Sequence, residues 1–260
     1  MKRFNMKRTP PKPADFRCKS APQYPYNEKP VSPELSAPMF GVSTQKDVYI
    51  TVSDGNQISL DIYQPDQEGK YPALFAMSSY TKELQGSDSP SLCNEAGDIN
   101  FFVSRGYVHV IADTRGSGHS GGEFSIFGER EVQDCAELIE WIAKQAWCDG
   151  NVGMIGMSYF AAVQLLVAKK NPPSLKCIFP YDPIYDLYRD CCYHGGTMSL
   201  FNWLMAYFWI ADHLIFFRDS SGRKNRMNWR SFFKLAMHFA IHNHRFDDTF
   251  MKERSVEMTT

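Results

Sequence analysis

The sequence predicts an α/β fold built on a largely parallel sheet. Short apolar runs recur at Tyr71 to Met77, Tyr107 to Ala112, Val152 to Ile155 and Leu175 to Phe179, each the length of a buried strand. Helical apolar patterns separate them, at Ala136 to Lys144 and Ala161 to Lys169. An alternating pair, Lys46 to Ser53 and Gln57 to Tyr63, precedes them and is joined by Asp54-Gly55-Asn56, a hairpin signal.

Residues 1–42 carry most of the prolines and few apolar runs, so they predict a disordered arm whose tail follows the domain surface. Residues 43–190 hold the strand and helix alternation and predict the core domain. From residue 191 to 260 the character becomes helical and aromatic, which predicts the start of a helical cap. Within it, Met198 to Phe217 is apolar enough to raise a membrane span, but Asn202, Asp212 and His213 count against one. Trp229 to Asn243 predicts a second helix with Phe232, Phe233, Leu235, Ala236, Phe239 and Ala240 on its apolar face, and Asp247 to Thr260 a third.

The 260 residues are 43% hydrophobic and 22% charged, with a formal net charge of -1, which supports a sizeable core and gives no case for nucleic acid or an anionic membrane as partner. Seven scattered cysteines without a Cys-x-x-Cys pair, and a proline-rich stretch where a signal peptide would need an apolar run, point to a reduced, cytoplasmic protein.

The chemistry-bearing stretch is Val152-Gly153-Met154-Ile155-Gly156-Met157-Ser158-Tyr159-Phe160-Ala161-Ala162. A buried strand, a Gly-x-Ser turn and a helix opening with small residues form the pattern of a nucleophile elbow. The closing glycine of Gly-x-Ser-x-Gly is missing, and Ala161 is expected to serve in its place. Ser158 is the candidate nucleophile, and the backbone N–H of Tyr159 points into the same space.

Three other motifs read as structural. Gly116-Ser117-Gly118-His119-Ser120-Gly121 matches a dinucleotide fingerprint, but the next helix starts only near Glu129, so no NAD and no other cofactor is expected. His194-Gly195-Gly196 follows the serine, where an oxyanion loop of that type would precede it, and reads as a turn into the cap. His238 and His242 share a helix face, but Phe239 stands where a metalloprotease helix has glutamate, so no metal is expected.

A longer series of motifs resembles one family. It comprises Asp54-Gly55 with Leu60-Asp61-Ile62-Tyr63-Gln64-Pro65, then Tyr80-Thr81-Lys82, then Arg105-Gly106-Tyr107. Asp113-Thr114-Arg115-Gly116-Ser117-Gly118 and Ser120-Gly121-Gly122-Glu123-Phe124 follow. Glu140-Trp141-Ile142, Trp147-Cys148-Asp149-Gly150-Asn151-Val152-Gly153-Met154 and Gly156-Met157-Ser158-Tyr159 complete it. Over about residues 45 to 200 the chain resembles the amino-terminal part of the X-Pro dipeptidyl-peptidase, cocaine esterase and α-amino-acid ester hydrolase family, a branch of the α/β-hydrolases. The resemblance implies an α/β-hydrolase fold and acyl transfer at Ser158 from a small-molecule ester or peptide. It also implies an oxyanion hole formed by the Tyr80 hydroxyl and the Tyr159 N–H.

The triad acid and histidine of that family lie after the cap, on further strands. No strand pattern follows Phe179, and Asp190, Asp212, His213, His242 and Asp247 fall in expected cap helices or at their edges. The expectation is a serine hydrolase fragment without its own base, and the alternative is an inactive, hydrolase-derived binding module or remnant.

Overall fold

The computed structural model describes residues 35–85, 94–215, 222, 224, 226–242, 244, 245 and 247–256. Most of the proline-rich arm, residues 1–34, lies outside the described residues, as do residues 216–221, 223 and 225 of the expected polar connector and its approach. The last residues of the expected arm follow the core surface. Met39 N–H donates to the Ser104 carbonyl at 2.7 Å, and Phe40 packs edge-on against Tyr71.

The core elements are β1 (Val42–Thr51), β2 (Gln57–Pro65), β3 (Tyr71–Ser78), α1 (Ile99–Val103), β4 (Val108–Asp113), α2 (Glu129–Ala143), β5 (Cys148–Met157), α3 (Tyr159–Ala168) and β6 (Leu175–Tyr181). They form one sheet in the order β1-β2-β4-β3-β5-β6. β1 and β2 pair antiparallel across the Asp54-Gly55 turn, and β2 meets β4 antiparallel. β4, β3, β5 and β6 run parallel, with α1, α2 and α3 as their crossovers. The carboxyl ends of β3 and β5 therefore lie at the same end of the sheet, which brings Tyr80 and Ser158 together.

Two strands depart from the expected exposure. The polar alternates of β2, Ser59 and Asp61, are as buried as its apolar positions, and Asp61 pairs with the buried Lys82 at 3.1 Å. Ser59 N–H donates to the Ser120 hydroxyl at 2.9 Å. Conversely, β6 is half exposed rather than buried. It pairs only with β5 among the described residues, and Phe179 and Tyr181 face outward at 56% and 60% exposure.

The loop from Asp113 to Gly128 is pinned from several sides. Asp113 accepts from the Lys82 and His119 N–H groups at 2.8 Å each. A side chain on Gly118 would collide with that carboxyl, so glycine is required there. Five further N–H groups of the expected fingerprint are also spent, those of Gly116, Ser117, Gly118, Ser120 and Gly121. Each N–H group of this stretch thus has an acceptor within the folded chain.

Arg115 grips Asp134 through two bonds, at 2.6 and 2.9 Å, and reaches Asp54 in the hairpin turn at 3.0 Å. Asp134 is fully buried, with Arg130 as its second cation. Replacing Arg115 with alanine is expected to cost roughly 3 kcal/mol, since it leaves a buried carboxylate half paired. Urea unfolding of the variant and the parent chain measures this loss.

Beyond β6, Leu187–Cys192 forms a single turn of π-helix. A short hairpin follows, β7 (Tyr193–His194) and β8 (Thr197–Met198), with Gly195 and Gly196 as its turn. Strand structure after Phe179 was not expected, because two-residue strands leave no periodic signal. Three helices complete the described chain, α4 (Phe201–Ile215), α5 (Trp229–Ile241) and α6 (Thr249–Lys252). α6 is much shorter than the helix expected over 247–260, and residues 257–260 lie outside the described residues. Phe233, expected on the apolar face of α5, is 51% exposed. No helix among the described residues is long and apolar enough to cross a membrane.

Candidate active site

The turn from β5 to α3 holds Ser158 at φ 57° and ψ −116°, a backbone conformation that side chains other than glycine rarely adopt. Its surroundings impose it. Ser158 N–H donates to the Tyr181 carbonyl of β6 at 3.0 Å, and Met157 N–H donates to the Glu95 carbonyl at 2.9 Å. The Ser158 carbonyl in turn accepts from Ala161 and Ala162, which starts the helix.

The sequence reading of Ala161 needs correction here. Counted from Gly156, the fifth position of the elbow pattern is Phe160. Gly156 has φ 142°, and a Cβ on it would collide with the Cβ of Phe160 and lie 3.2 Å from the Glu95 carbonyl. The close approach is secured by the first glycine, which leaves room for a large side chain at the fifth position. Ala161 is fully buried in the first turn of α3.

Ser158, Tyr80 and Tyr159 all line one cavity. Tyr80 follows β3 and is buried, not a surface aromatic. Its ring packs edge-on against Tyr159 at 5.9 Å, Phe160 at 6.2 Å and Phe208 at 5.4 Å. The next residue is clamped by α4. Asp212 accepts from Thr81 N–H at 2.8 Å and from the Thr81 hydroxyl at 2.9 Å. Burial pushes the Asp212 carboxyl up to about 6, against the pull of these Thr81 bonds. His213, beside it, donates from Nδ1 to the Trp209 carbonyl and accepts the Gly118 N–H on Nε2 at 2.9 Å. Acceptance at Nε2 requires the neutral ring, protonated on Nδ1, and burial holds its pKa down to about 4.

Tyr159 is anchored from behind. Its hydroxyl donates to Glu131 at 2.7 Å, and its ring lies 4.3 Å from that of Phe127. Glu131 is completely buried, and burial raises its carboxyl to about 8 despite the Tyr159 bond. Its usual value is 4.5, so the folded chain holds the extra proton between the two values. The stabilising contribution is therefore complete below the lower value and is lost as pH rises through the upper one. Between pH 6.5 and 8 the parent chain is expected to lose roughly 2 kcal/mol that Glu131→Gln does not lose, measured by urea unfolding at each pH.

The sequence reading missed Glu131, and it placed Asp212 and His213 only as cap residues. Adjacent polar residues inside the apolar run of α4 were the available signal. Their partners, Thr81 and Gly118, are 131 and 95 residues away.

All seven histidines are described, and none lines the Ser158 cavity. His109 is buried beside Phe102, His119 faces Glu83, and His213 serves the Gly118 loop. His194 flanks the β7–β8 turn. His238, His242 and His244 stack together near Phe250, and His244 pairs with Asp248. No group of three or more His, Cys, Asp or Glu among the described residues is arranged to hold a metal.

This sheet, with its helical crossovers and strand–serine–helix turn, has an α/β-hydrolase-type fold. The chain belongs to the X-Pro dipeptidyl-peptidase (S15) family, whose model matches residues 54–252. It is 37% identical over 159 residues to cocaine esterase of Rhodococcus sp., covering 61% of this chain and 27% of that protein. It is 29% identical over 191 residues to a putative serine esterase of Mycobacterium bovis, covering 68% of this chain and 28% of that protein. Among solved structures, a CocE/NonD family hydrolase from Staphylococcus aureus superposes with TM-score 0.68 at 30% identity, over 82% of this chain and 38% of that one. An α-amino acid ester hydrolase shares the fold at TM-score 0.59 and 22% identity, over 86% of this chain and 41% of that one. The chain thus spans little more than a quarter of the length of these curated relatives.

Proposed function

We propose that Ser158 is the acylating nucleophile of an esterase or amidase. In this reading its hydroxyl attacks a carbonyl carbon, and the Tyr80 hydroxyl and Tyr159 N–H donate to the developing oxyanion. The observation that carries the reading is the backbone of Ser158, held at positive φ on a strand-to-helix turn beside Tyr80. The first-turn N–H groups of a helix have no intrahelical acceptor, which suits Tyr159 to the donor role. Helices α4 to α6 are read as the start of a cap over this site.

A serine hydroxyl also needs a base. None of the seven histidines faces the cavity, so the histidine and its acid are assigned to residues outside these 260. The same placement favours a second reading, a binding module derived from a hydrolase. The two separate in one experiment, in which a fluorophosphonate is added with imidazole as surrogate base. Phosphonylation that rises with imidazole and disappears in Ser158→Ala supports the nucleophile. A folded chain that is never modified supports the binding module.

A further inference from the structure

Helix α4 reaches the residue after Tyr80 with a buried carboxylate. Asp212 bonds through both of its oxygens to Thr81, which is itself fully buried. The Thr81 N–H belongs to the planar peptide group that leaves the Tyr80 Cα. Its 2.8 Å bond to Asp212 therefore fixes the ψ rotation of Tyr80. The peptide group on the other side is held by Ser78, whose hydroxyl accepts the Tyr80 N–H at 3.1 Å. One residue further on, Lys82 N–H donates to Asp113 at 2.8 Å. Ser78 and Asp113 end strands β3 and β4, so Asp212 is the hold among these three that comes from outside the sheet.

The Tyr80 ring is set by the same helix. Phe208 and Trp209, one turn before Asp212, pack on it at centroid distances of 5.4 and 6.4 Å. His213, next to Asp212, takes the Gly118 N–H of the loop after β4. An apolar helix can dock by packing alone, and burying a carboxylate is costly unless its hydrogen bonds offset the lost hydration. Here both bonds go to the neighbour of Tyr80.

We propose that Asp212 is a positioning residue: through Thr81 it sets the direction of the Tyr80 hydroxyl, so that the seating of α4 governs the oxyanion site. The proposal rests on the reading of Tyr80 as the oxyanion donor to Ser158. Asparagine reproduces the clamp, its carbonyl accepting the Thr81 N–H and its amide donating to the Thr81 hydroxyl. Alanine removes it.

The test uses the complete chain and two readouts. The first is the fluorine resonance of Tyr80 in protein labelled with 3-fluorotyrosine, identified by its loss in Tyr80→Phe. The second is imidazole-assisted phosphonylation of Ser158 in unlabelled protein. Asp212→Ala is expected to shift and broaden the resonance and to slow phosphonylation by roughly 10 to 10²-fold, the scale of a misplacement of about 1 Å. Asp212→Asn is expected to keep the resonance in place and to react within about threefold of the parent. Adding Asp212→Ala to Tyr80→Phe should slow the reaction no further, since the donor it positions is gone. Thr81→Val keeps the N–H half of the clamp and should show a milder loss with the same dependence on Tyr80, which serves if the alanine variant does not fold. A Tyr80 resonance unmoved in both variants overturns the proposal, as do equal losses with and without the Tyr80 hydroxyl, or an asparagine variant as slow as alanine. A resonance that moves as expected in a chain that is never phosphonylated removes the nucleophile reading and keeps Asp212 as the residue that positions Tyr80. Phosphonylation that Asp212→Ala leaves unchanged does the reverse.

Discussion

Tyr80→Phe is expected to slow imidazole-assisted phosphonylation of Ser158 by roughly 10² to 10³-fold, the cost of removing one oxyanion donor. The substitution keeps the ring and so keeps its packing against Tyr159, Phe160, Phe208 and Trp209. The clamp of Asp212 on Thr81 also persists, because it uses no atom of Tyr80. The melting temperature should therefore stay within a degree or two of the parent, which separates loss of a donor from loss of the fold. Tyr80→Ala, in contrast, opens a hole among four aromatic rings and should lower both quantities.

The second large effect is on stability. Gly156→Ala places a methyl group into Phe160 and against the Glu95 carbonyl, at a φ of 142° that L side chains rarely adopt. Backbone strain and overpacking each cost of order 1–3 kcal/mol, so a loss of roughly 3 to 4 kcal/mol is expected. For a chain of this size that is a fall of about 10 °C in melting temperature, read by circular dichroism. Met157→Ala, one residue on, is the control. Met157 is 37% exposed and should change stability little. Equal effects at the two positions would contradict the packing account of the elbow.

The parallel half of the sheet was legible because each of its strands is a short apolar run framed by turn residues. The elbow was legible for a related reason. A glycine two residues before a serine, between a strand and a helix, marks a sharp turn in few other contexts. The residue that replaces the closing glycine was misread, because the close contact runs from Gly156 to Phe160 and leaves Ala161 an ordinary helical position. Local pattern also gave no access to what fixes the site from a distance. Asp212 holding Thr81, His213 holding the Gly118 loop and Glu131 holding Tyr159 each join elements that only the folded chain brings together. The exposure of β6 escaped for the opposite reason. Its composition is that of a buried strand, while its position at one edge of the described sheet leaves Phe179 and Tyr181 uncovered.

The most direct test of the central claim is a search for the acyl group itself. The chain is incubated with p-nitrophenyl butyrate and imidazole, quenched in acid, and its peptides are mapped by mass. Imidazole assists deacylation as well as acylation, so the acid quench is made during the first turnover, while the acyl group is still on the serine. The account predicts one butyryl group on the peptide carrying Ser158, absent from Ser158→Ala and reduced in Tyr80→Phe. A folded chain whose Ser158 peptide stays unmodified, or one acylated elsewhere while Ser158 remains free, would contradict it.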